Sequence, residues 1–156
     1  MIRGLAGPLI AAVLLIPVMA LPQGMRQGVL VTDDTGAILA QLPVADGAQF
    51  CLRWNHSVTG GKVADCFRIE AGRLVLDSSF LHDYAAGLGS IPGRGTVRAA
   101  KGGGYWIEGM NEPLAGNLLR LRVGGPAVDH RLTSGAWQID LSALAAGKRV
   151  ILRPAY

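Results

Sequence analysis

Little in this 156-residue chain advertises a chemistry. There are three histidines and two cysteines, and no His-x-His or Cys-x-x-Cys pair to nucleate a zinc site. No G-x-S-x-G nucleophile elbow occurs, which excludes the hydrolase motif built on it. The run Ala86-Gly87-Leu88-Gly89-Ser90-Ile91-Pro92-Gly93 breaks the G-x-G-x-x-G spacing at Pro92, and no strand-helix-strand context surrounds it. The basic residues are scattered, without a run interleaved with aromatics, so a nucleic-acid surface is excluded. Beyond the N-terminal segment no stretch sustains an apolar period of 3.6, which argues against a helical bundle. No fixed-period repeat and no second domain stand out. No metal and no cofactor follow from the sequence.

What is present begins with a targeting segment. Arg3 supplies a short positive region, and Leu5 to Leu21 is almost wholly apolar. Val18-Met19-Ala20 suits signal peptidase, so residues 1–20 read as a cleaved signal peptide. The alternative is an uncleaved membrane anchor, against which stand a run shorter than the roughly 20 residues of a helical span and the prolines at 8 and 17. No cysteine follows the apolar run, which argues against a lipoprotein. Either way, residues 21–156 are expected outside the cytoplasm, periplasmic or exported, as one domain. Membrane contact is expected only through the N-terminal segment. The formal charge of +4 falls to +3 when Arg3 leaves with the leader, and describes a mildly basic surface.

Twenty-two glycines and eight prolines in a half-apolar chain suggest many turns between short strands. Strands are expected at 28–32, 37–43, 50–55, 62–70, 73–80, 105–107, 118–123, 128–133, 137–140 and 149–153, with one helical turn near 142–146. Little regular structure is expected from Leu88 to Gly104, and a loop from Asn111 to Gly116. Such a series of short strands, about nine, predicts an all-β antiparallel sandwich or barrel. Asp34-Thr35-Gly36 matches an aspartic-protease triplet but reads here as turn chemistry.

The densest polar cluster lies around a hairpin. Phe50-Cys51-Leu52-Arg53-Trp54-Asn55-His56-Ser57-Val58 leads into it and Val63-Ala64-Asp65-Cys66-Phe67 leaves it. Two registers compete. A tight Gly60-Gly61 turn places His56 opposite Asp65, and glycines suit the positive φ of such turns. A disulfide between Cys51 and Cys66 instead centres the turn on Val58-Thr59, a poor β-branched pair for a two-residue turn. A longer, irregular loop relaxes either constraint. Two cysteines in an exported chain favour the disulfide.

His56, Ser57 and Asp65 are the residue types of a nucleophilic triad, but strand neighbours point to opposite faces, which argues against His56 reaching Ser57. The structural alternative pairs His56 with Asp65 and lets Ser57 bond the turn. His56, His82 and Asp83, with Asp65 as a further ligand, are the residues that would converge in a metal site. Gly87 belongs to a candidate backbone nest for a small anion, and Arg94, Arg98 and Lys101 follow it as candidate carboxylate or phosphate binders. His130 is expected to be exposed, and Trp54, Trp106 and Trp137 are expected in the core. The ligand-binding candidates are therefore His56, Asp65, Gly87, Arg94 and Arg98.

Trp54-Asn55-His56-Ser57-Val58, Val63-Ala64-Asp65 and Ala85-Ala86-Gly87-Leu88 together resemble domain of unknown function 1850. Leu118-Leu119-Arg120-Leu121-Arg122-Val123 and His130-Arg131-Leu132 are similar to its C-terminal part. The chain departs from the family pattern at Ala85 (usually glycine), Gly89 (often proline), Asp65 (commonly glutamate) and Gly60-Gly61-Lys62, which lacks Thr-Pro. The resemblance implies a small exported or membrane-anchored bacterial protein. It also implies a gene beside tripartite (TRAP) transporters, hence an accessory role in solute uptake with transporter subunits or an anionic solute as partner. A periplasmic hydrolase using His56 and Asp65, or a structural cell-envelope protein, are the alternatives; an enzyme is not the expectation.

Overall fold

The computed structural model describes residues 27–83 and 93–155. The leader and Ala85-Ala86-Gly87-Leu88 lie outside them, so neither signal cleavage nor the Gly87 nest can be placed. Twelve strands occur among the described residues, two beyond the ten ranges read from the sequence. The additions are β6 (Thr96–Ala99) and the two-residue β8 (Glu112–Pro113), both too short to leave a period-2 pattern. The strands expected from turn chemistry hold closely: β1 Gly28–Thr32, β2 Ile38–Pro43, β3 Gln49–Asn55, β4 Lys62–Glu70 and β5 Arg73–Leu81. So do β7 Tyr105–Glu108, β9 Leu119–Arg122, β11 Trp137–Asp140 and β12 Arg149–Ala155. β10 is Arg131–Ser134, starting three residues later than expected, because Asp129 adopts φ +53 and ends extended geometry there.

All pairings are antiparallel. A four-stranded sheet runs β2-β1-β12-β9, and a larger one runs β11-β10-β3-β4-β5-β7-β6, with β8 beside β5. The arrangement is an open sandwich, not a closed barrel. Alternation of side chains explains the packing. Val29, Val31 and Leu42, with Val150 and Leu152, come from the small sheet; they meet Phe50, Leu52, Phe67, Ile69, Leu74 and Leu132 from the large one. Each such buried side chain contributes about 1.5–3 kcal/mol. A second cluster of Leu81, Tyr105, Ile107 and Met110 covers the β5–β7 end of the large sheet. The helix α1, Leu141–Ala145, begins where Asp140 accepts a bond from the Ala143 amide at 2.9 Å, and it adds Leu141 and Ala145 to the main core.

Three expectations fail for traceable reasons. Trp106 is half-buried and belongs to neither apolar cluster, because its β7 neighbours Tyr105 and Ile107 take the inner face and turn it outward. Trp137 sits on β11, the edge of the large sheet, and is 56% exposed rather than in the core. His130 is buried, not exposed. Its Nδ1 accepts from the Gly124 amide at 2.9 Å, its own amide donates to Ser142 Oγ, and its ring lies 5.9 Å from that of Trp54.

Candidate functional site

The hairpin joining β3 and β4 takes the disulfide register. Cys51 faces Cys66, Asn55 faces Lys62, and the two cysteines are bonded. The objection to a Val58-Thr59 centre disappears because the loop has four residues, Ser57 to Gly60. The His56 amide bonds Gly61 O, and the Gly60 amide returns to His56 O at 2.8 Å. Only Gly60 needs positive φ, at +69°. A Cβ at Gly61 would come within 2.9 Å of the His82 Cβ, so that glycine is there for close approach.

This register parts the triad candidates. Asp65 faces Leu52 on β3, not His56. His56 Nδ1 accepts from the Val58 and Thr59 amides, both at 3.3 Å, which caps the loop and leaves the ring proton on Nε2. Ser57 lies exposed on the loop. Asn55 locks the other side: its amide group donates to Ala127 O and its Oδ1 accepts from Lys62 Nζ. The Trp-Asn-His-Ser stretch thus builds the hairpin and moors it to the 125–130 loop.

Asp65 belongs to a different cluster, on the inner face of the large sheet. The cross-strand row is Leu52, Asp65, Ser79 and Ile107. The buried Ser79 hydroxyl donates to Asp65 Oδ1 at 2.6 Å. Burial pushes the Asp65 pKa up, while that hydrogen bond and the charge of Arg94 pull it back. Arg94 makes a two-pronged bond to Glu112, at 2.5 and 2.9 Å. Glu112 faces Leu76, which packs against both apolar clusters. Ser79 is the residue sequence reasoning missed. Simple alternation groups it with Val75 and Asp77, but Leu76 pairs with Phe67 while Ser78 pairs with Cys66, so Asp77 is an extra, bulged residue. The bulge turns Ser79 inward.

The outer face of the same sheet carries a continuous row across six strands: Arg131, Arg53, Ala64, Phe80, Trp106 and Arg98. Ala64 is the low point. Arg53 rises on one side and the Phe80 ring, 5.3 Å from Trp106, on the other. The result is a cleft of about 420 Å³ lined also by Asn55, Lys62, Asp129 and Arg131. Arg131 is neutralised by Asp129 and Asp140. Arg53 and Lys62 have no carboxylate partner among the described residues; they bond Thr133 and Asn55 instead. Arg98, expected to join Arg94 in one anion site, lies on this outer face and pairs with Glu108, so the two arginines serve different faces. Lys101 sits on the exposed turn between β6 and β7. Among the described residues no group of three His, Cys, Asp or Glu side chains is arranged to hold a metal ion, so His56, His82, Asp83 and Asp65 do not converge.

The disulfide fits an exported protein, and no helix among the described residues is long and apolar enough to cross a membrane. No curated protein and no solved structure matches the chain. The family model for a domain of unknown function (DUF1850) matches residues 50–141, which span the hairpin, both polar clusters and the outer cleft. On that match, over more than half of its length, the chain belongs to the DUF1850 family.

Proposed function

We propose that the protein is a periplasmic accessory of a TRAP-type transporter that binds a carboxylate-bearing solute and does not transform it. The observation that carries this reading is the pair Arg53 and Lys62, flanking the small Ala64 in a cleft with an aromatic wall; neither has a carboxylate partner among the described residues, the cleft's Asp129 being paired with Arg131. A guanidinium, an ammonium and a ring face suit a short or planar carboxylate. The transporter association rests on the gene neighbourhood that the family resemblance implies. A single domain spanning residues 21–156 is part of the proposal.

The hydrolase alternative asks His56 to activate Ser57 with Asp65 behind it. His56 Nδ1 is occupied by loop amides and Asp65 by Ser79, so neither orienting bond exists. The test is a pull-down of the full chain from membranes of its native host, run beside an ester and amide screen. Transporter subunits are expected among the retained proteins. Their absence, or hydrolysis that vanishes in a folded Ser57→Ala variant, defeats the reading.

A further inference from the structure

Besides the four ion-paired arginines, six described ones lack a carboxylate partner among the described residues; Arg53 and Arg73 stand apart, and the other four lie together. Arg68, Arg94, Arg98 and Arg131 each have a carboxylate partner. Arg120 and Arg122 on β9, with Arg149 and Arg153 on β12, have none among the described residues. All four share one face of the small sheet. Their strand neighbours Leu119, Leu121, Val150 and Leu152 pack on the core, so the arginines project the other way. Arg122 lies directly opposite Arg149. Like charges in that relation oppose folding. Elsewhere the molecule relieves such crowding: Arg131 lies opposite Arg53 but is met by two aspartates. Here a cleft of about 510 Å³ opens between Arg120, Arg122 and Arg149, with only Asp34 of opposite charge on its lining.

A second observation concerns the backbone. β9 is the last strand of its sheet. In an antiparallel pair every second residue turns its N–H and C=O away from the neighbour. Residues 119–122 make no hydrogen bond to any described residue beyond β12. An edge unpaired among the described residues and the cationic face therefore coincide on β9, at Arg120 and Arg122.

We propose that this edge receives an extended acidic segment of a partner protein, which joins the small sheet as a fifth strand beside β9. Main-chain bonds to the free edge supply register-independent affinity. Side chains of the added strand alternate. Those on the outer face are aspartates or glutamates, roughly 5 Å across from Arg120 and Arg122. Those on the inner face are apolar and extend the Leu119–Leu121 surface. The recognised pattern is thus acidic and apolar residues in strict alternation. It is a different surface from the outer cleft on the large sheet and does not depend on what that cleft binds.

The experiment uses the isotope-labelled full chain in a mild nonionic detergent, titrated with a synthetic peptide of alternating glutamate and valine. Controls are the lysine–valine counterpart and the glutamate–valine peptide methylated at its backbone nitrogens. The acidic peptide is expected to protect amides of residues 119–122 from hydrogen exchange. Its binding should weaken about tenfold or more in Arg122→Gln/Arg149→Gln. The methylated peptide should give no protection. Failure of the acidic peptide to bind overturns the proposal, as does equal protection by the lysine peptide. Equal binding by the methylated peptide would mean charge attraction alone, as an anionic membrane surface would give. If the arginine variant self-associates yet binds the acidic peptide undiminished, the arginines only guard the edge, and the proposal fails.

Discussion

At Asp65 the inner face of the large sheet carries a carboxylate in a row otherwise formed by Leu52, Ser79 and Ile107. Burial raises its pKa, so the native state holds a proton in a range where the unfolded chain has released it. Stability from this group is full below the ordinary aspartate value near about 4 and is lost as pH rises through the folded pKa. Asp65→Asn keeps the size and the acceptor for the Ser79 hydroxyl but removes the charge. The variant should be at least as stable as wild type at pH 7, and its melting temperature should lack the decline that Asp65 imposes as pH rises above the ordinary aspartate value. Parallel pH profiles of the two proteins would refute this. His130 works in the opposite sense. Burial lowers its pKa, against the pull of Asp129, and Nδ1 is already an acceptor for the Gly124 amide. Its contribution is present above about pH 6.5 and is lost as pH falls through the folded value. Denaturant melts at pH 7.5 and 5.5 should show wild type losing more stability on acidification than His130→Asn, whose Oδ1 can still accept that bond. An equal loss in both would contradict the assignment.

At the scale of elements, the β3–β4 hairpin shows what a sequence does and does not disclose. The strand ends at Asn55 and Lys62 follow from alternation and glycine positions. The register did not, because the cysteines and the Gly-Gly pair point to arrangements four residues apart. A four-residue loop with a single positive φ at Gly60 satisfies the cysteines without a tight turn; His56 holds it through local amide bonds, and Asn55 and His82 hold it through tertiary contacts that no local pattern displays. The bulge at Asp77 is the other concealed feature. Arg68 and Gln49 from β4 and β3 hold its carboxylate, partners that a reading of β5 alone does not show. That single extra residue moves Ser79 to the inner face, and the Asp65 cluster could not be read without it. Two outcomes follow for the hairpin. Reduction of Cys51–Cys66, or Cys51→Ala/Cys66→Ala, should cost about 3 kcal/mol of unfolding free energy in denaturant titrations. Gly60→Ala should cost about 1 kcal/mol from backbone strain alone, since its Cβ meets nothing within 4 Å. A neutral Gly60→Ala would show that the loop reshapes freely.

At the scale of the whole molecule, the two sheets share one core but present different outer faces. The fold class was legible because strand-forming runs and turn residues alternate along most of the chain. The sites were not, because each is a cross-strand row: Arg53, Ala64 and Phe80 are far apart in sequence and become neighbours only through pairing of β3, β4 and β5. The same pairing sends His56 and Asp65, close in sequence, into separate clusters and leaves Ser57 exposed on the loop. We propose that the outer cleft binds a carboxylate and releases it unchanged. Calorimetric titration of the full chain with succinate, glutarate and phthalate, followed by analysis of the recovered solute, tests it directly. At least one should bind saturably at one site per chain and be recovered intact. Affinity should fall about tenfold or more in Arg53→Gln and vanish in Ala64→Leu, which fills the floor of the cleft. Absence of saturable binding for all three, binding indifferent to Ala64→Leu, or conversion of the solute would contradict the account.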